Sequence, residues 1–133
     1  FNAHKSEWLD DNGNLKPEYD AATQIMGDGW RMPTKADFQE LIDNTDSEWV
    51  TINDVDGWKF TSKTNGNSIF IPFSGERLDS SFYFQGTFGN VWSSSLNASA
   101  PNCAWNLYLD SVGFVVDSDD IRCYSFVVRG VKD

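Results

Sequence analysis

Few side chains in this sequence could carry out catalysis, and they do not combine into a known catalytic arrangement. His4 is the only histidine, and it stands near the start of the chain. A Ser–His–Asp triad or a Cys–His pair therefore lacks a credible general base, because the base must lie within hydrogen-bond reach of its nucleophile. The sequence also contains no glycine-rich phosphate loop and no HExxH motif. It predicts a protein that is not an enzyme.

The two cysteines, Cys103 and Cys123, stand twenty positions apart without a second pair. Their spacing fits neither a zinc site nor a CxxC redox motif. A disulfide between them would be typical of an extracytoplasmic protein, whereas two reduced thiols would be compatible with any compartment. Both alternatives remain open from the sequence.

Carboxylates are abundant, with 20 Asp and Glu residues, but none belongs to a clear metal-binding motif. The segment 10–14 is similar to a calcium loop, yet it lacks the glycine at the sixth position and the distal glutamate, so a plain turn is favoured. Asp117, Asp119 and Asp120 could bind a hard cation, but a solvated loop is the favoured interpretation. No metal and no other cofactor is predicted.

The length and charge of the chain limit its class. At 133 residues it fits one domain, assigned to residues 1–133 with a poorly defined N-terminal segment at 1–16. A net charge of −10 repels phosphate backbones and anionic lipids, so nucleic acid and membrane surfaces are poor candidate partners. No apolar run approaches the roughly 20 residues that span a membrane. The chain begins at Phe1, and we expect any export signal or lipid anchor upstream of it.

The first third of the chain has the periodicity of two helices. Pro17 is expected to open the first, which Gly27 can end. Thr34 and Asp37 form a capping-box pattern for the second helix. Apolar residues within 38–42 then recur at helical spacing and should face the core.

Short strand-like runs follow from residue 49 onward. A small antiparallel sheet is predicted from 104–109, 114–116 and 126–131, with a hairpin turn at 110–113. Two helices followed by short antiparallel strands and long loops indicate an α+β fold.

The C-terminal third mixes aromatic side chains with short polar ones. Tyr and Trp give a large contact area at low entropy cost, while Asn, Ser and Asp supply adaptable hydrogen bonds, as in an antibody paratope. The residues of both kinds are Asn90, Asn97, Asn102, Trp105, Asn106, Tyr108, Asp110, Tyr124 and Ser125. This composition favours a binding surface.

A series of short motifs runs from about Tyr19 to the C-terminus, nearly the whole domain. The motifs are Gly29-Trp30-Arg31-Met32-Pro33-Thr34, Phe60-Thr61-Ser62-Lys63, Asn65-Gly66-Asn67-Ser68-Ile69-Phe70-Ile71-Pro72, Ser74-Gly75-Glu76-Arg77, Trp92-Ser93-Ser94-Ser95, Ala104-Trp105-Asn106-Leu107-Tyr108-Leu109 and Val128-Arg129-Gly130-Val131-Lys132. Their types and order resemble the Fibrobacter succinogenes major paralogous domain family.

The resemblance implies a C-type-lectin-like fold in an exported bacterial or phage-associated protein, secreted or at the cell surface and often lipid-anchored. The most similar members of that group are variable proteins of diversity-generating retroelements, in which adenine-directed mutagenesis rewrites the region after the Trp-Ser-Ser-Ser motif. By this resemblance, residues 90–130 form a variable face for adhesion to a protein or another macromolecule. The domain is expected to act as a monomer.

The resemblance also places candidate ligand-binding residues at the variable positions. Many of them can be reached from an Asn codon by changing its adenines. They are Asn102, Cys103, Asn106, Tyr108, Asp110, Val112, Phe114, Asp117, Asp119, Asp120, Cys123 and Tyr124.

Two departures from the resemblance bear on function. Val91 replaces the Tyr that commonly precedes Trp-Ser-Ser, and the sugar-binding motifs Glu-Pro-Asn and Gln-Pro-Asp of animal lectins are absent, which argues against sugar binding.

One alternative to a binding domain is a structural or spacer module of a cell-surface or fimbrial protein. Another is a formylglycine-generating type of enzyme, which shares the broad fold and uses two cysteines. The motifs around Cys103 and Cys123 do not match that enzyme.

Overall fold

A computed structural model describes residues 6–78, 80–100, 102–121 and 124–132, so His4 and Cys123 lie outside the described residues. The helices are α1 (Ala21–Met26) and α2 (Lys35–Asp43). The strands are β1 (Trp30–Arg31), β2 (Thr45–Ile52), β3 (Val55–Ser62), β4 (Ser68–Pro72), β5 (Glu76–Leu78), β6 (Ser81–Tyr83), β7 (Phe88–Leu96), β8 (Cys103–Asp110), β9 (Phe114–Ile121) and β10 (Val131–Lys132). Helices combined with antiparallel strands in small sheets confirm the α+β class.

The first helix begins later than its sequence pattern predicts. Pro17–Tyr19 forms a 3₁₀ turn, and Asp20 then takes an extended conformation as the N-cap of α1. The buried Asp20 carboxylate accepts hydrogen bonds from the amides of Ala22 and Thr23 at 2.9 and 3.1 Å. It also accepts one from the Met32 amide at 2.9 Å. A single side chain therefore fixes the start of α1 and ties it to the chain that follows β1.

The second helix has the cap that its sequence predicts. The Asp37 amide donates to the Thr34 hydroxyl at 3.1 Å, and the Thr34 amide donates to the Asp37 carboxylate at 2.8 Å. Arg31 donates to the same carboxylate at 2.5 Å. Burial raises the pKa of Asp37, but the hydrogen bonds from Arg31 and Thr34 outweigh burial and hold that pKa below its ordinary value.

Two antiparallel sheets of three strands account for most of the strand structure, in the orders β2-β3-β4 and β7-β8-β9. The predicted hairpin turn between β8 and β9 is confirmed, with the Asp110 amide donating to the Gly113 carbonyl at 2.8 Å. The predicted third strand of this sheet, 126–131, is wrong, because β7 pairs with β8 instead. Val127 makes only an isolated parallel bridge to Val91.

The main core lies between α2 and the two three-stranded sheets. Phe38 of α2 packs with Phe60 of β3 and with Leu107 and Leu109 of β8, in a cluster of buried residues. The indole of Trp58 also donates to the Asp110 carbonyl at 2.7 Å, which ties β3 to the end of β8. Within the part of the chain that the structure describes, no helix is both long and apolar enough to cross a membrane.

Candidate ligand-binding face

Strand β8 presents different side chains on its two faces. Because side chains alternate along a strand, Leu107 and Leu109 share one face, and both are 0% exposed in the core. We call this the core face. The opposite face, which we call the polar face, carries side chains from β7, β8 and β9. Its members are Asn90, Asn106, Tyr108, Asp110 and Asp120.

Four of the predicted ligand-binding residues meet on the polar face as two hydrogen-bonded pairs. Asn106 Nδ2 donates to the Asp120 carboxylate at 3.2 Å, across the boundary between β8 and β9. The Tyr108 hydroxyl donates to the Asp110 carboxylate at 2.8 Å, along β8. That carboxylate also accepts a hydrogen bond from the Val112 amide at 2.8 Å, so the hairpin turn holds Asp110 in place.

Three of the other predicted residues belong to the opposite side of the sheet. Phe114 points into the core, where its ring meets the rings of Phe60 and Trp58 edge-on at 5.1 and 5.4 Å. Asp117 forms a salt bridge with Lys35 at 2.8 Å. Asp119 lies opposite Trp105 in the strand register.

Among the remaining predicted residues that the structure describes, Asn102, Cys103 and Val112 lie near the two ends of β8, and Tyr124 lies in a segment that packs on Trp92 of β7. Asn102 is exposed before β8, and Cys103 is half-buried at its first position. Val112 is 91% exposed at the hairpin tip. The ring of Tyr124 stacks on that of Phe126, which packs against Trp92 opposite Asn106. Cys123 lies outside the described residues, so its relation to Cys103 is not addressed by the structure.

A row of aromatic rings connects the predicted residue Tyr108 to three aromatic residues that were not among the predicted site residues. Successive ring centroids along it lie 6.3, 5.3 and 5.7 Å apart. We call this row the aromatic ladder, and its members in order are Tyr83, Phe84, Phe88 and Tyr108. Tyr83 and Phe84 are 43% and 57% exposed, respectively. The signal for the ladder was the run of aromatic residues within 82–88.

Phe84, a member of the ladder, has an unusual backbone conformation. Its φ of 59° lies in the left-handed region, which side chains other than Gly, Asn and Asp rarely adopt. The turn is closed by the Thr87 amide, which donates to the Phe84 carbonyl at 3.0 Å. A strained residue that exposes a large apolar ring is typical of a functional site.

The β5–β6 hairpin brings a further carboxylate to the polar face. Glu76 pairs with Tyr83 and Arg77 pairs with Phe82, so each pair lies on a different face of the hairpin. The Arg77 guanidinium lies 5.3 Å from the centre of the Phe82 ring, on the face away from Glu76. Glu76 therefore lies on the same face of the hairpin as Tyr83 of the aromatic ladder.

The pKa values of Glu76 and Asp120 are both shifted upward. Burial raises the pKa of Glu76, and the charge of Asp120 raises it further. Burial also raises the pKa of Asp120, and the charge of Asp119 adds to this effect, while the hydrogen bond from Asn106 opposes it. Both carboxylates are therefore held in surroundings that disfavour their negative charge.

The pKa values of Tyr108 and Asp110 shift in opposite directions, and the hydrogen bond that the two groups share contributes to both shifts. Burial and then the Asp110 carboxylate raise the pKa of Tyr108. The hydrogen bond from the Val112 amide lowers the pKa of Asp110, and the bond from Tyr108 lowers it further. Tyr108 therefore stays a neutral phenol beside a charged carboxylate at neutral pH.

The polar face and the aromatic ladder offer stacked rings, carboxylates and amides. No nucleophile with an adjacent base is present among these side chains. Among the described residues, no group of three or more His, Cys, Asp or Glu side chains is placed to hold a metal ion. Comparisons with protein-family models, with curated proteins and with solved structures gave no match to this chain.

A separate cavity of about 220 Å³ lies near the N-terminal segment and is lined largely by apolar side chains, among them Leu15, Tyr19, Met32 and Trp92. It is smaller than the roughly 300–1,000 Å³ of ordinary small-molecule pockets. Two larger clefts, of about 570 and 630 Å³, adjoin α2, the first lined by Phe38 and Leu41 among others and the second by Lys35 and Gln39 among others. The aromatic ladder and the polar face differ from these cavities in placing exposed rings beside hydrogen-bonding side chains, which makes them the candidate for ligand binding.

Proposed function

We propose that this chain is a non-enzymatic ligand-binding domain that contacts a protein or another macromolecule through the aromatic ladder and the polar face. The observation that carries the proposal is the exposure of the ladder directly beside hydrogen-bonding side chains. Exposed apolar patches with a polar rim mark interaction sites in soluble proteins. Rigid aromatic side chains are also the commonest anchors of binding energy in protein interfaces.

We further propose that the fold is C-type-lectin-like and that the domain is displayed outside the cytoplasm. The order of two helices followed by antiparallel strands supports this assignment, together with the family motifs in the sequence. In this proposal the chain is a variable protein of a diversity-generating retroelement, and its scaffold stays constant while residues around the polar face change.

A variant with several substitutions on the polar face and at the adjoining hairpin tip tests whether these residues can change without loss of the fold. We choose Tyr108→Ser, Asp110→Asn and Val112→Ser together. These residues are partly or largely exposed, so the melting temperature should fall by less than about 5 °C. Binding to the protein's ligand should be lost or redirected.

The matched control for this variant replaces exposed residues on a distant strand. Asp46→Asn, Glu48→Gln and Thr51→Ser alter β2, which does not belong to the sheet of the polar face. This control should bind the same ligand as the wild type. Collapse of the first variant at ordinary temperature, or unchanged ligand choice with an intact fold, would contradict the proposal.

The gene locus gives a separate test of diversification. Sequencing should find a reverse transcriptase gene and an imperfect template repeat that matches codons for about residues 90–130. Differences confined to template adenines would support a diversified receptor. A locus without a repeat would refute diversification and leave a fixed binding domain.

A further inference from the structure

The cavity near the N-terminal segment has a size that suits one aromatic ring. Its volume of about 220 Å³ exceeds the roughly 150 Å³ that holds benzene in an apolar protein cavity, although it is smaller than pockets for drug-sized molecules. Met32 and Ala104 are buried in its wall, whereas Tyr19 and Val128 are exposed and mark its open side. A molecule of one ring can therefore enter from solvent and become largely surrounded by apolar side chains.

Backbone hydrogen bonds tie the walls of this cavity to β7. The Leu15 amide donates to the Ser94 carbonyl, and the Ser94 amide donates to the Pro33 carbonyl, each at 2.9 Å. The Trp92 amide donates to the Val127 carbonyl at 3.1 Å. Closing the cavity would break such bonds and leave buried backbone groups unpaired, so we expect the cavity to keep its volume in solution.

One hydroxyl in the wall of the cavity is buried without a partner. Ser94 lines the cavity and is 4% exposed, and its hydroxyl forms no hydrogen bond with any residue that the structure describes. It is not one of the fully enclosed unpaired oxygens of the described residues, which belong to Ser74, Asn90 and Asn106, so a ligand in the cavity can reach it. A buried hydroxyl without a hydrogen bond destabilises the fold, and a ligand that pairs with Ser94 would remove that cost.

The rest of the wall favours an uncharged aromatic ligand. The lining includes the rings of Tyr19 and Trp92 and the thioether of Met32, and aromatic rings pack well on both kinds of group. No Lys, Arg, Asp or Glu is among the described residues that line the cavity, so a charged ligand would lose its hydration without gaining a partner. Water also matches this wall poorly, because an ordered buried water needs about two to four polar partners.

We propose that this cavity binds a small, uncharged aromatic molecule of about one ring, with one hydroxyl or similar group that pairs with Ser94. The described residues that line the cavity include no member of the aromatic ladder, so this site is separate from the one in the proposed function. The polar face contacts a macromolecule, whereas the cavity holds a free small molecule. Failure of either proposal leaves the other standing.

The test uses the full chain and benzyl alcohol, with benzoate as a probe of nearly the same size that carries a negative charge. The chain has two methionines, of which Met32 lies in the wall and Met26 is 47% exposed and outside the lining. Titration of each probe is followed by ¹H–¹³C correlation spectra of the methionine methyl groups. Benzyl alcohol should shift the Met32 signal with a Kd of about 1 mM or tighter and leave the Met26 signal in place. Benzoate should bind at least about tenfold more weakly.

Two variants that add the same side chain show whether the cavity is the binding site. Ala104→Leu fills space in the wall and should weaken the binding of benzyl alcohol by at least about tenfold. Ala36→Leu adds that side chain at an exposed position on α2 outside the cavity and should leave the affinity unchanged. Ala21→Leu, at a half-buried position of the wall, serves if Ala104→Leu does not fold, and it should weaken binding severalfold.

The hydrogen bond to Ser94 is tested with toluene, which has the ring of benzyl alcohol without its hydroxyl. Ser94→Ala should weaken the binding of benzyl alcohol severalfold more than it weakens the binding of toluene. An equal loss for the two probes would overturn the role of Ser94.

Three results would overturn the site itself. They are an unshifted Met32 signal, equal shifts of the Met32 and Met26 signals, and equal affinity of the wall variant and of Ala36→Leu for benzyl alcohol. Binding of benzoate as tight as that of benzyl alcohol would overturn the uncharged class of ligand. None of these outcomes bears on a macromolecular ligand of the aromatic ladder, which is tested by substitutions in the ladder.

Discussion

The two faces of strand β8 differ in what their side chains do, although the residues alternate one by one. Leu107 and Leu109 on the core face are completely buried in a cluster with residues from α2, β3, β4, β7 and β9. Tyr108 and Asp110 on the polar face are partly exposed and bond to each other. The comparison shows how one strand can place one set of side chains in the core and leave part of the other set exposed.

The largest expected effect of a substitution is on the core face. Leu107→Ala should destabilise the protein by about 2–5 kcal/mol, because it removes buried methyl groups and leaves a cavity. Tyr108→Ala on the polar face removes the packing of its ring on Phe88, and the further loss in the free energy of unfolding should be about 1 kcal/mol or less. Urea unfolding of both variants measures the difference. Equal losses would show that the two faces do not have separate roles.

A second pair of variants tests whether β9 also has one core face and one exposed face. Phe114 packs on Phe60 in the core, whereas Val115 is 51% exposed next to it. Phe114→Ala should cost about 2–4 kcal/mol, and Val115→Ala less than about 1 kcal/mol. Thermal and urea unfolding provide the values. A small effect at Phe114 would indicate that this position can vary freely, as the sequence predicted.

Asp117 and Asp119 show where prediction from sequence reached its limit. The register between β8 and β9 shifts between Asn106 and Tyr108, so strict alternation from the hairpin does not hold along β9. The shift depends on pairing between strands and has no signature in the local sequence. The hairpin turn at 110–113 was predictable because its hydrogen bonds are local.

Strand composition and packing between distant segments set the other limits. The cap of α2 was predictable, because Thr34 and Asp37 are three residues apart and interact directly. The strand that completes the sheet is β7, which directly precedes β8 in the chain, and its serine-rich part at 93–95 lacks the β-branched and aromatic residues typical of strands. The aromatic ladder joins the β6 region to β8 across a longer stretch of chain, so composition showed the aromatic residues without showing their arrangement.

The carboxylates of Glu76 and Asp120 should affect the free energy of unfolding less than the core substitutions do, and in a way that depends on pH. The pKa values of Glu76 and Asp120 are raised above 4.5 and 3.8, respectively, in the folded protein, so protonation favours folding. Their contribution to stability is complete below the unfolded pKa and is lost as the pH rises through the folded pKa.

This dependence is measured against a variant that lacks both carboxylates. Between pH 4 and pH 7 the wild type should lose stability relative to Glu76→Gln with Asp120→Asn, by less than about 1 kcal/mol because both groups are partly exposed. Urea unfolding at several pH values measures the difference. A relative gain by the wild type would mean that the carboxylates have a compensating cation.

The smallest effect is expected at the hairpin tip. Val112 is 91% exposed, so Val112→Ser should change the free energy of unfolding by less than about 0.5 kcal/mol. Calorimetry can compare Val112→Ser with the wild type. A larger loss would show that the tip contributes packing to the fold.

The most direct test of the central claim is whether the aromatic ladder carries ligand binding. The wild type and the double variant Phe84→Asn with Tyr83→Ser are compared by surface plasmon resonance against one panel of purified cell-surface proteins. Asn is chosen at residue 84 because it accepts the left-handed backbone conformation found there. We expect the variant to keep its fold and to lose at least about tenfold in affinity for any ligand of the wild type. Equal affinity of the two folded proteins for the same ligand would contradict the account.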